Sequence, residues 1–98
     1  MPSVYILYSN SIDHYYIGSC DNLVIRLEQH LSGKFDRAFT HRAKDWKIYF
    51  EISDLDYQQA RKIEEHIKRM KSRLYIKNLI LYPEMTSKLK KKYAGSSR

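Results

Sequence analysis

The chain has little of three residues that often decide the class of a small protein: among 98 residues there are one Cys, two Pro and three Gly. A lone thiol, Cys20, can form neither an internal disulfide nor a Cys-based zinc site. That excludes a disulfide scaffold and makes a reducing, cytoplasmic setting the expectation. The scarcity of Gly and Pro excludes collagen-like and linker-like chains. Long apolar runs are missing too. No stretch approaches the ~18 residues of a membrane span, and the start, MPSVYILYSN, has no basic segment ahead of its short apolar stretch. Neither a membrane protein nor a cleaved secretory precursor is expected. Acidic residues are scarce in one half only. Residues 1–60 carry six Lys/Arg against eight Asp/Glu, residues 61–98 twelve against three, and the total is +7. Cations gathered in this way suit a polyanion, since each one placed on a phosphate releases condensed counterions, and they suit a solvated basic helix equally well. What the chain has in abundance is tyrosine, nine residues in all. At this length the expectation is one domain with a modest core, so several tyrosines must be partly buried with their hydroxyls satisfied.

Val4 to Tyr8 is β-branched or aromatic at most positions and too short for a stable helix; Tyr15 to Ser19 reads as a second strand. The polar connection Ser9–Asp13 makes the pair an antiparallel hairpin. Alternation puts Tyr5 and Leu7 on one face of the first strand, and Tyr16 and Gly18 on one face of the second. Register, which decides whether these faces coincide, stays open. Asp21-Asn22 provides an N-cap for a helix to about Ser32, stopped by Gly33, with Leu23, Val24, Leu27 and Leu31 as its buried stripe. Residues 33–45 hold no clean period and read as a loop. Trp46, Ile48, Phe50 and Ile52 alternate as a half-buried strand. After a capping turn at Ser53–Asp56, a helix runs from Tyr57 to about Lys71, with Ala60, Ile63, Ile67 and Met70 on its core side. Ile76, Leu79 and Ile80 mark a third helix before Pro83. The expected division is a domain over 1–82 and a basic, frayed tail over 83–98. The order β-β-α-β-α-α reads as α+β, a small antiparallel sheet with helices packed on it.

Several residues stand out for their chemistry. Arg26 and His30 lie four apart at the border of the first helix's apolar stripe, where a boundary Arg and a surface His are the ordinary reading. Glu64 has the same border position on the second helix, with Arg61, Lys68 and Lys71 on its side. Glu64–Lys68 can be a plain i,i+4 ion pair, or the carboxylate can hold a divalent cation inside a phosphate-attracting strip completed by Arg73. There is no phosphate-binding Gly loop, no HExxH and no nucleophile elbow. His14, His30, His41 and His66 show no close metal-ligand spacing.

Val4-Tyr5-Ile6, then Tyr16-Ile17-Gly18, Arg26, His30 and Glu64 at their intervals together resemble the GIY-YIG nuclease domain, from residue 3 to about 81. The VYILYS, YYIGS, RLEQHLSGK and EEHIKRMKSR segments are similar to its small stand-alone bacterial members. The resemblance implies a three-stranded antiparallel sheet flanked by helices, cleaving phosphodiesters with one divalent cation, Mg²⁺ or Mn²⁺. It implies that Glu64 binds the metal, Arg26 stabilises the scissile phosphate, Tyr5 and Tyr16 stand near the attacking water, and His30 fills a His-or-Tyr position. Three departures accompany it. Val4 replaces the first Gly, Ser19 stands where some members have Lys, and Ile76 occupies the interval of a late Asn, with Asn78 two further on.

Three function classes follow. The first is a metal-dependent DNA endonuclease acting on branched, nicked or damaged DNA in repair or recombination, with Arg61, Lys68, Lys71 and Arg73 binding nucleic acid and a protein partner supplying targeting. The second is a non-catalytic nucleic-acid-binding domain of the same fold, and the third an interaction protein with a basic tail. In the first, Tyr5 bonded to His30 takes the water proton while Tyr16 orients the water; the reverse assignment of the tyrosines stays open.

Overall fold

A computed structural model of the chain describes residues 2–32 and 42–94. Gly33 and most of the 33–45 loop lie outside the described residues. The elements follow in the order β1 (Ser3–Ser9), β2 (His14–Cys20), α1 (Leu23–Leu31), β3 (Lys47–Ile52), α2 (Tyr57–Met70), α3 (Arg73–Leu81) and α4 (Pro83–Tyr93). The strands form one antiparallel sheet of order β2-β1-β3, so the fold is α+β with β1 central and β2 at an edge. The central place explains why β1 is apolar on both faces: Val4, Ile6, Tyr5 and Leu7 are all buried.

The register left open by the sequence is fixed by pairing. Tyr5 stands opposite Gly18 and Leu7 opposite Tyr16, so both tyrosines project from the same face. The hairpin connection is held by side chains. Asp45 accepts from the hydroxyls of Ser9 and Ser11 and from the Ser11 backbone N–H, and Asp13, at φ 51°, is gripped by Arg73.

Helices cover both faces. On one, α1 packs with Trp46 and Ala43 over Tyr5, Leu7 and Cys20. On the other, α2 lays Ala60, Ile63 and Ile67 against Val4, Ile6 and Ile52, backed by Ile76, Leu79 and Leu89. Each large aliphatic side chain buried this way stabilises the fold by about 1.5–3 kcal/mol before entropy is counted. The caps are those the sequence carries. The Asn22 side chain accepts from the Ile25 N–H, and Asp56 forms a reciprocal capping box with Gln59.

Four expectations need correcting. The tail is not frayed over 83–93: it forms α4, started by Pro83, with Leu89 buried in the core. Gln59 donates to the Lys90 carbonyl at 2.9 Å and His66 meets the Tyr93 hydroxyl at 3.0 Å, tying α4 to α2. Met85, Leu89 and Tyr93, four apart, carry the helical signal hidden among the lysines. Val24 is exposed, because α1 is rolled so that His30 takes the interior position instead. Met70 is also exposed, at the last position of α2, where Lys71 turns the chain in the left-handed region. Finally, strict alternation in β3 fails. Ile6 pairs with Phe50 but Leu7 with Ile48, and the extra residue, Tyr49, forms a bulge. Trp46 and Ile52 therefore join opposite cores instead of one.

Candidate active site

Each candidate side chain is placed by an element whose local sequence explains its position. Tyr5 comes from the central strand and is 2% exposed. Its ring rests over Gly18 so closely that a Cβ there would lie 2.5 Å from the Tyr5 hydroxyl oxygen. The glycine is thus required by approach. The Tyr5 hydroxyl meets His30 Nε2 at 3.0 Å, a pair 25 residues apart in sequence and buried. Tyr16 completes a cluster: its ring centroid is 6.3 Å from that of Tyr5, and it meets His30 edge-on at 5.0 Å.

Burial is the largest influence on both ends of the Tyr5–His30 bond. It drives the Tyr5 phenol far above the ordinary tyrosine range, reinforced by Tyr16, Cys20 and Glu64 and opposed by Arg26. It holds His30 below its ordinary value, with Arg26 adding to the effect. Both are neutral at pH 7. The same influences show that the Tyr5 hydroxyl lies within electrostatic reach of Arg26 and Glu64.

Arg26 and Arg61, from α1 and α2, line a cleft of about 90 Å³ with Ser19, Cys20, Asp21 and Tyr57 at the end of β2. Glu64 reaches the same edge strand from the opposite face of the sheet. The Ser19 hydroxyl donates to Oε1 at 2.7 Å and Lys68 Nζ to Oε2 at 2.7 Å, and the carboxylate side chain keeps 19% of its surface open. The five candidates are thus arranged about β2: Tyr5, Tyr16 and His30 on one face of the sheet, Arg26 at the end of the strand, and Glu64 on the other face, bonded to Ser19.

Lys68 is bound to Glu64 and, with Lys71 and Arg73, lines a second cavity further along the strand. Arg73 forks onto Asp13 at 2.6 and 3.1 Å and lies 5.3 Å from the Tyr15 ring centre. The residue that sequence reasoning undervalued is Ser19, noted only as a replacement for Lys. It orients Glu64 across 45 positions of sequence, a contact without any local signal.

Among the described residues, no group of three His, Cys, Asp or Glu converges that could hold a metal alone. A closed zinc site does not fit this set. A hard cation that keeps most of its waters, and takes one carboxylate plus substrate phosphate, does fit Glu64, because its competitor Lys68 is a surface pair worth only tenths of a kcal/mol.

These features define a small α+β domain with a polar site strung along an edge strand. The model of the GIY-YIG catalytic domain matches residues 1–78, and the chain belongs to that family of nucleases, which act on DNA and generally depend on divalent metal. No curated protein and no solved structure matches the chain.

Proposed function

We propose that the chain is a divalent-metal-dependent endonuclease that hydrolyses DNA phosphodiester bonds at the outer edge of β2. The observation that supports this reading is the arrangement about β2 of the Tyr5–His30 pair, the Arg26/Arg61 cleft and the Glu64 carboxylate, from separate segments of a chain in a nuclease family.

Glu64, oriented by Ser19, would hold one Mg²⁺ or Mn²⁺, which when bound would supply Lewis-acid stabilisation of the charge that develops on the phosphate. Arg26 and Arg61 offer charge-assisted N–H bonds to the non-bridging oxygens in a cleft the size of one phosphate group. A phenol whose ionisation is suppressed by burial cannot work as a standing phenolate. It can accept a water proton only as it passes its own to a neighbour, and His30, kept neutral, is that neighbour at 3.0 Å. The oxygen–phosphorus bond forms as the bond to the 3′-oxygen breaks, and the leaving oxygen takes its proton from solvent. Tyr16, against the His30 ring, orients the water.

Recognition, in this reading, rests on shape: nicked, flapped or branched duplexes of repair or recombination, with a protein partner for targeting. The test is a cleavage assay on such substrates in Mg²⁺, Mn²⁺ or EDTA. Cleavage in either metal, none in EDTA and none with Glu64→Gln, whose DNA binding persists, is the expected pattern. Salt-dependent binding without cleavage of any substrate overturns the enzymatic reading.

A further inference from the structure

Two separate cavities lie along β2 and α2 on either side of Glu64: the arginine cleft beside Ser19 and Arg61, and a cavity of about 290 Å³ lined by Ile17, Ile67 and Lys68. The two are chemically unlike. The second has Ile17, Ile67 and Ile76 in its lining, a wall made by Tyr15, and Lys68, Lys71 and Arg73 among its polar residues. Arg73 lies over the Tyr15 ring and is locked by its fork onto Asp13, so ring and guanidinium form one layered unit.

An apolar lining rejects a phosphate, whose charge would be desolvated there, and accepts a flat, weakly polar ring. Lys68 and Lys71 beside that lining attract the phosphates on either side of the ring, while Asp13 offsets the charge of Arg73. The volume suits a single base with its sugar. Ile17 lies two positions from Ser19 on the same face of β2, about 7 Å along an extended strand, and Lys68 lies one helical turn, about 6 Å, from Glu64. The cavity therefore begins one nucleotide's reach from the carboxylate.

We infer that this cavity is a binding site for one unstacked nucleobase of a DNA strand whose neighbouring phosphate lies at Glu64 and Arg26. The inference rests on the nuclease reading and deepens it. A base can enter only if it is unpaired, so the site selects single-stranded flaps and branch points over intact duplex.

The experiment compares binding of a 12-nucleotide thymidine strand, a 12-unit abasic strand with the same phosphates, and a 12-base-pair duplex, all in EDTA so that nothing is cleaved. The thymidine strand should bind about tenfold more tightly than the abasic one, the effect of one stacked base. Ile17→Trp, which fills the cavity, should erase that difference and leave duplex binding unchanged, the latter also reporting that the variant is folded. Tyr15→Leu should shrink the difference by removing the aromatic wall. Equal affinity of the wild type for thymidine and abasic strands, with salt-dependent duplex binding intact, overturns the base site alone. So does a preference for thymidine that survives both substitutions. Absence of binding to all three overturns the base site and the nuclease reading together.

Discussion

Gly18→Ala is the substitution that most directly tests the construction of the site. The added methyl group would lie 2.5 Å from the Tyr5 hydroxyl oxygen and 2.6 Å from Cζ, so the ring has to move. It has little space in which to move, being buried and hemmed by Tyr16 and His30. Overpacking of this kind costs about 1–3 kcal/mol, and losing the Tyr5–His30 bond adds about 1 kcal/mol. The sum, about 2–4 kcal/mol, lowers Tm by about 10–20 °C in a domain of this size. At an unconstrained strand position the same change would be neutral or slightly stabilising, since alanine restricts the unfolded chain. Urea and thermal unfolding measure the loss. In a Tyr5→Leu background the clash is gone, and the added cost of Gly18→Ala should fall below about 0.5 kcal/mol. A Gly18→Ala protein melting within about 2 °C of wild type, or an equal cost in both backgrounds, refutes the packing of Tyr5 on Gly18.

Three further outcomes are expected. Tyr5→Phe breaks the proton path to His30 and should slow single-turnover cleavage about 10²-fold or more while leaving DNA affinity unchanged; a change of only a few-fold removes Tyr5 from that path. His30 and His66 are both held below their ordinary values by burial, so native protein resists the protons that the unfolded chain accepts. Their stabilisation is present above about pH 6.5 and is lost as pH falls towards their folded values. Asp45, held down at about 2 by Ser9 and Ser11, adds a separate loss below about pH 4. A Tm flat between pH 7 and about pH 5 would contradict the histidine contribution. Leu89→Ala should cost about 2–3 kcal/mol in urea unfolding, because α4 is part of the core; a cost under about 0.5 kcal/mol would mean that the helix is not docked.

The elements themselves were legible where local signals were strong. Asn22 and Asp56 start their helices as read, and Ile63 and Ile67 are buried as their spacing requires. Errors fell where a distant partner overrode the local pattern. Val24 loses its interior place to His30, because a buried imidazole with Tyr5 as partner satisfies both polar groups and fills the space as well. The Tyr49 bulge is decided by pairing with β1, and α4 by Gln59 and His66 on another helix.

The sequence alone determines the α+β class, the caps and the five residue types that single out the chain, because periodicity and capping are properties of neighbours along the backbone. Only the tertiary structure decides that Tyr5 and Tyr16 share a face, that Ser19 orients Glu64 across 45 positions of sequence, and that a cavity lies beyond that carboxylate. Strand register and helix roll are set by the packing of both cores at once, and no local window of sequence contains that balance.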